Sequence, residues 1–493
     1  MRLPVLREES PMGPDAEPPV IVLPGAVEVV NVGLALFAEA VADQGRPAVQ
    51  VDWRIPAGGD QDVVAALRRL CGPFAADLDA ANAEVVRRLD SGRPLLIDAA
   101  PASAVLPGLD GRTLLHCGPA IAYRDAVDPL QRSMHAAVVA EGWAEDVAAA
   151  ARMLAAGEVA LSPANDHRTV VPMATAIGPS MPVFVAELAD GGRAYAPIGQ
   201  GPGDVAWFGR DTPAAIERLV FLRDAVQPVL AEALAASGPI DILSIAAQAV
   251  AMGDDVHVRA QAATNLLIRD LLPYLVASSA PRRAEVAAFL SGNHLFFLTI
   301  GMAAARALAG WAGEVPGSSV VIGMSRNGTD FGVRLAGSPT WHLDASPAVE
   351  SALYQPGRGP ADAAPDIGDS AVLELVGLGA AAAAGSPAVA QLLGGGMRSA
   401  VRLTEHLDRI CLGRSSRVTL PTLGGRGTPL GVDARLVVEL GVTPRITTGI
   451  LHRSDGSGQI GAGVAEAPLG AFRAAVLALD AQLCAQRDQV GRP

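Results

Sequence analysis

The chain has 493 residues, half of them apolar and only 18% charged, which allows roughly two to four domains and excludes a disordered chain. Its 38 basic against 51 acidic side chains give a net charge of −13, a field of the wrong sign for a nucleic-acid binder. Every basic residue is Arg, so Schiff-base chemistry, a pyridoxal lysine and a Walker-A lysine are all excluded. Any bound anion must meet Arg forks, backbone N–H groups or helix N-termini.

Residues 1–19 are rich in Pro and acid and are expected to be a flexible tail, without the apolar core of a signal peptide. Val27–Val30 reads as a strand, Leu34–Asp43 as an amphipathic helix, and Ala48–Trp53 as a second strand with Asp52 near its end. This Rossmann-like βαβ segment over 20–76 has a single glycine, Gly33, in its first turn. It therefore lacks the Gly-rich phosphate turn of a dinucleotide site. Residues 77–211 are expected to form a second α/β unit, with strands at Pro94–Asp98, Thr113–His116 and Pro182–Glu187.

Residues 212–315 carry long Ala/Leu-rich helical periods with almost no strand signal, which predicts a helical domain. From 316 to 493 strands return in a mixed α/β domain with a hairpin turn at Asn327-Gly328. The uncharged run Leu375–Met397 is too poor in Leu, Ile and Phe for a bilayer span and reads as a buried helix and loop. A helix from Pro468 to about Gln486 closes the chain. The expected class is α/β and multi-domain, with a Rossmann-like N-terminal part, a central helical domain and a C-terminal mixed domain. Cys71, Cys117, Cys411 and Cys484 are far apart with no CxxC, so neither disulfides nor a zinc site is expected, and a reducing cytoplasm fits.

Four segments place polar groups in apolar surroundings. Gly253-Asp254-Asp255-Val256-His257-Val258-Arg259 reads as a helix start capped by Asp254, with His257, Gln261 and Asn265 recurring on one face to about Leu272. The same spacing fits an ordinary cap with a His in a polar seam. Ser325-Arg326-Asn327-Gly328-Thr329-Asp330 puts an Arg fork beside an amide at a hairpin tip, suited to a carboxylate or phosphate, or to a solvated turn. Asp366-Ile367-Gly368-Asp369-Ser370 precedes a helical run, so Asp369 or Ser370 is expected as its cap rather than as a metal ligand.

The fourth segment, Gly449 to Gly463, contains Gly456-Ser457-Gly458-Gln459-Ile460-Gly461, a literal G-x-G-x-x-G. No helix opens inside it and too little chain follows for a βαβ unit, so it reads as a Gly-rich loop with His452 and Gln459 as ligand contacts. His116 at a strand end and His167 in Asn165-Asp166-His167 are lesser candidates. His135, His342 and His406 are expected to lack polar company. No GxSxG, HExxH or P-loop is present.

The stretches MGDDVHVRAQAATNLLIRDLLP, VVIGMSRNGTDFGVRLAG, PDIGDSAVLELVGLGAAAAA and TTGILHRSDGSGQIGAG, in this order, resemble the YlbE/AllG-like family. LLHCGPAIAY, EGWAEDVAAAARML, GPSMPVFVAEL and RAYAPIGQGPG extend the resemblance over roughly residues 20–485. It implies carbamoyl transfer between carbamoyl phosphate and an oxamate-like amide in purine or allantoin nitrogen breakdown, as one subunit beside an FdrA-like partner. The Ser-x-Arg-Thr phosphate loop of ordinary transcarbamylases is absent; Gly111-Arg112-Thr113 is only a fragment of it.

Such chemistry needs a phosphate clamp, donors for the carbamoyl oxyanion and a base. His257, Asp330 and Asp369 are the candidate catalytic residues. Arg259 and Arg326 are the candidate clamps, with Asn327, Asp366, Ser370, His116 and His167 as further substrate contacts. Loop N–H groups around Gly456–Gly463, Gly458 among them, with His452 and Gln459, would serve the carbamoyl group. No cofactor or metal is expected. The partners expected are a small anionic or amide substrate, the FdrA-like subunit and a second copy of the chain, with neither nucleic acid nor membrane. An amide- or ureide-cleaving hydrolase and a non-catalytic binding subunit are the competing readings.

Overall fold

The computed structural model describes residues 29–51, 55–106, 108–109, 111–189, 192–349 and 351–490. The expected tail at 1–19, the first two residues of the first expected strand, and Asp52 and Trp53 lie outside them. The chain divides into two compact units at Ile55/Pro56, ahead of the boundary expected at residue 76.

In the first unit, β1 (Val29–Val32) and β2 (Ala48–Val51) pair in parallel, joined through the helix Ala35–Asp43. The βαβ order is the expected one. The Gln50 amide donates to Gly33 O at 3.0 Å and the Asn31 amide to Gln50 Oε1 at 2.6 Å, so side chains brace the turn in place of a glycine-rich loop.

The first half of the second unit holds β3 (Leu95–Pro101), β4 (Thr113–His116), β5 (Ala160–Pro163), β6 (Ala176–Ile177), β7 (Pro182–Glu187), β8 (Arg193–Pro197) and β9 (Ile240–Asp241). They make two small sheets, ordered β8-β7-β3-β9 and β5-β4-β6, in which only β4 and β5 run parallel. The second half holds β10 (Val321–Asn327), β11 (Asp330–Leu335), β12 (His342–Ala345), β13 (Ser351–Tyr354) and β14 (Ile367–Gly368). It continues through β15 (Cys411–Leu420), β16 (Arg426–Val432), β17 (Arg445–Leu451) and β18 (Gln459–Glu466). Their sheets, β12-β11-β10-β14, β13-β18-β17 and β15-β16, are antiparallel. The whole is an α/β fold of helices and several small sheets.

The helix Phe296–Ala312 is apolar but for Thr299 and Arg306, and fifteen of its seventeen residues are buried. A helix without a polar face has to sit in a core, and this one packs against residues drawn from Val85 to Leu430. Among the described residues no single helix is long and apolar enough to cross a membrane; only the bent pair Arg283–Gly292 and Phe296–Ala312 reaches that length and composition together.

Three local expectations are corrected. Residues 253–260 form a loop, and the helix runs Gln261–Ala277, so His257 shares no helix face with Gln261 and Asn265. The cause is Val256, whose φ of +65° places a β-branched residue in the left-handed region and stops a helix there. Asp254 still serves the helix start from outside it, accepting the Ala263 N–H at 2.9 Å. Second, Ser370–Val376 is a 3₁₀ turn to which Asp369 gives no side-chain cap. Third, the Gly-rich segment is the hairpin of β17 and β18, and only 452–458 within it is loop.

Candidate functional site

His257 is 5% exposed and anchored through its backbone N–H and its Nδ1. Its own N–H and those of Val258 and Arg259 all donate to the Asp255 carboxylate, at 3.1, 3.4 and 2.8 Å. Burial pushes the Asp255 carboxyl above its ordinary range. Across the loop, His257 Nδ1 lies 2.8 Å from Glu374 Oε1 and 3.1 Å from the Thr447 hydroxyl. Where Nδ1 donates to Glu374, the neutral ring has its lone pair on Nε2. Gly379 makes this approach possible: at φ +59° a Cβ there would land on the Glu374 carboxylate.

The His257 ring borders a small cavity of about 80 Å³, walled by Pro172, Met173, Trp207, Phe208, Leu295 and Leu298, with Ser370 and Gln459 as polar members. Two buried polar atoms here have no hydrogen-bond partner: the indole Nε1 of Trp207 on the cavity wall, and Oε2 of Glu374 behind the imidazole. Met173 is held at φ +50°, and opposite it Gly368, at φ +113°, could take no Cβ without meeting Met173 N at 2.5 Å. Backbone strain on Val256 and Met173, one on either side of the site, is of the kind that persists where function over-determines geometry. The arrangement offers one imidazole base, a few donors and an apolar enclosure, with no cation on the wall.

His257, Ser370 and Gln459 are thus brought together from three of the four segments, and the remaining candidates stand elsewhere. Arg326 is fully buried and already occupied: Nε and Nη2 grip both Asp366 oxygens at 2.8 and 3.1 Å, and Nη1 donates to Gly368 O at 2.6 Å. That corrects its reading as a free phosphate clamp, and Asp366 is likewise spent on this pair and on the Thr448 hydroxyl at 2.8 Å. Asn327 is no ligand contact either, since its side chain closes the hairpin: Oδ1 accepts from Thr329 N and Asp330 N, and Nδ2 donates to Pro119 O. Asp330 pairs with Ala345 on the β11–β12 edge, away from the cavity.

Asp369 ties three segments together, accepting from Gly118 N at 2.9 Å, Val171 N at 3.0 Å and the Ser325 hydroxyl. Burial pushes its carboxyl up to about 6 against these donors. Arg259 pairs with Asp254 at 2.9 Å, and burial likewise raises Asp254 to about 6. His452 Nδ1 accepts two N–H groups in the β17–β18 turn, and that turn, with Gly458, docks on Arg210, which donates to Ser457 O at 2.9 Å. His116 is buried with Nδ1 2.8 Å from Cys117 O and Nε2 unpartnered, and His167 Nε2 lies 2.9 Å from the Ser162 hydroxyl. His135 does have polar company, Tyr123 at 2.7 Å and Asp211 at 3.1 Å, which corrects the opposite expectation. His406 also has a partner, Thr443 O at 2.8 Å. Among the described residues no group of three His, Cys, Asp or Glu could hold a metal ion.

The profile of the family "Oxamate carbamoyltransferase subunit AllG" matches residues 159–370, a span that includes His257. The oxamate carbamoyltransferase subunit AllG of Escherichia coli K12 is 38% identical over 405 residues, 81% of this chain and 97% of that protein. The chain belongs to the AllG family. The uncharacterized protein YahG of the same organism is 34% identical over 456 residues, 92% of this chain and 96% of its own. A crystal structure of a conserved protein of unknown function from Enterococcus faecalis V583 superposes with a TM-score of 0.81 at 33% identity, over 83% of this chain and 99% of that one.

The family takes its description, an oxamate carbamoyltransferase subunit, from AllG itself. Within the site, sequence reasoning missed Glu374, Thr447 and Met173. Glu374 had a signal: it is the single charged residue between Asp369 and Arg398, and a lone carboxylate in so apolar a run needs a buried partner. Met173 had none, because its contribution is a backbone angle.

Proposed function

We propose that this chain supplies the acceptor side of a carbamoyl transfer, holding a small amide of the oxamate type in the His257 cavity while an FdrA-like partner holds carbamoyl phosphate. The observation that carries this reading is the Glu374–His257 pair, with Nδ1 fixed and Nε2 left unbonded beside a small cavity. As the amide nitrogen attacks the carbamoyl carbon, an N–C bond forms and its proton passes to Nε2. The C–O bond to phosphate breaks and phosphate leaves. The Ser370 hydroxyl is the side-chain donor on the wall available to an amide or carbamoyl oxygen. A wall without a cation suits the amide end of the acceptor and leaves the phosphoryl clamp to the partner.

The test is His257→Asn in the complex with the partner. Its amide keeps a donor where Nδ1 stands and deletes Nε2, so the fold is retained while the base is removed. Turnover is expected to fall on the order of 100- to 10,000-fold, the usual worth of a positioned base. Retained turnover would remove His257 from the chemistry. Amide loss that needs no carbamoyl phosphate would point to hydrolysis by the same pocket.

A further inference from the structure

A second cavity, of about 480 Å³, opens at the far end of the helix Phe296–Ala312 from the His257 site. Leu298 borders the first cavity and Arg306 the second; they stand eight positions apart on the helix, about 12 Å of rise, too far for one small substrate to touch both. This larger volume lies in the range of ordinary small-molecule pockets. Its walls carry Arg168, Arg193, Arg306 and Arg334, beside Trp311.

Three of these arginines have no carboxylate partner among the described residues. Arg306 is 6% exposed; it donates from Nη2 to Asn165 O at 3.1 Å, and its Nε has no partner. Burial, with Arg334 and Arg168 close by, pushes its guanidinium down to about 9, the mark of a cation lacking a counter-charge. Arg334 Nε is also buried and unpartnered, its guanidinium lying 4.8 Å above the Trp341 ring. Arg168 is exposed and held at φ +54°, a strained conformation at the mouth of the cavity. The acids nearby do not neutralise the group: Glu314 is 64% exposed and leans to Arg88 at 3.5 Å, Glu187 is taken by Arg193, and Asp166 is exposed.

We infer that this cavity is a binding site for a small, multiply charged anion of the phosphate class, gripped by Arg306, Arg334 and Arg168. In a chain of net charge −13, three cations without a carboxylate partner, on a concave wall whose one acid, Glu314, leans to Arg88, form a local field of the opposite sign, and guanidinium forks match phosphate oxygens in geometry. Nothing in this inference depends on the carbamoyl-transfer reading.

The test is calorimetric titration of the full chain with inorganic phosphate and, separately, pyrophosphate at constant ionic strength, for the native protein, Arg334→Gln, Arg168→Gln and His257→Asn. Arg168 is exposed, so its variant keeps the fold even if Arg334→Gln does not; circular dichroism checks both. The expected result is saturable binding weakened about tenfold or more by either Arg change and untouched by His257→Asn. Tighter binding of pyrophosphate would identify a diphosphate-type ligand, and equal binding a single phosphoryl group. The inference is overturned if the native protein shows no saturable binding, if both Arg variants bind as the native chain does, or if His257→Asn alone abolishes binding. It is also overturned if neither anion binds and an FdrA-like partner instead shields the cavity from hydrogen exchange, which would make it a docking surface.

Discussion

Replacing Arg326 with Met separates a structural arginine from a ligand clamp. In the native fold the guanidinium makes two bonds to Asp366 and one to Gly368 O, with both side chains at 0% exposure. Met fills much of the volume but leaves the Asp366 carboxylate with only the Ile367 N–H at 3.0 Å and the Thr448 hydroxyl at 2.8 Å. Removing one partner of a buried pair typically costs about 3–5 kcal/mol, because the other charge stays buried. That is a large part of the roughly 5–15 kcal/mol that holds an ordinary domain. Removing both charges, in Arg326→Met/Asp366→Asn, relieves the stranded carboxylate and should restore about 1–3 kcal/mol relative to the single Met variant. Urea midpoints of the native chain, both singles and the double close the cycle. If Arg326→Met costs less than about 1 kcal/mol, or the single effects simply add, the guanidinium is not committed to Asp366, and its exclusion as a clamp fails.

Glu374→Gln should lower kcat more than KM, since the carboxylate fixes the imidazole tautomer rather than touching the acceptor; equal kcat in steady-state assays of the complex would show that Glu374 only fills space. Gly379→Ala should lose activity at least about tenfold through its collision with Glu374, whereas Gly424→Ala, also at positive φ but in open space, should cost stability alone. Asp369 sits at about 6 in the folded chain against an ordinary 3.8, so the fold binds its proton more tightly than the unfolded chain does. Its contribution is therefore full below about 4 and lost as pH rises through about 6, on the order of 2–3 kcal/mol. Asp369→Asn should flatten that slope in urea midpoints between pH 4 and 6.5, while lowering stability at every pH because an amide N–H₂ would face the Val171 N–H. An unchanged slope would mean another group carries the dependence.

Local runs were the legible part of the fold. Thr113–His116 and Pro182–Glu187 stand where their apolar residues and flanking breaks predicted, and the Asn327-Gly328 turn closes a hairpin as that dipeptide should. The segment after Gly253 misled because Asp254 has the chemistry of a cap and performs that service, but from nine residues before its acceptor-bound N–H rather than at the helix start. Arg326 misled for a different reason: an unpaired arginine and one locked to a carboxylate forty residues on look alike in sequence. Of the site, His257 was legible as a polar residue in apolar company. Its partner Glu374 lies 117 residues away, and the strain at Val256 and Met173 is a property of the folded backbone. The Arg168–Arg306–Arg334 cavity was illegible in the same way, being assembled from a turn, a buried helix and a strand that meet only after folding.

The most direct test of the acceptor-site account is a mass-spectrometric assay of the purified chain with its FdrA-like partner, carbamoyl phosphate and a panel of small amides that includes oxamate. The account predicts a carbamoylated amide whose formation needs both the acceptor and carbamoyl phosphate, and which disappears with His257→Asn. A carbamoylated product that forms equally well with the Asn variant, or none at all from the complete complex, would contradict it.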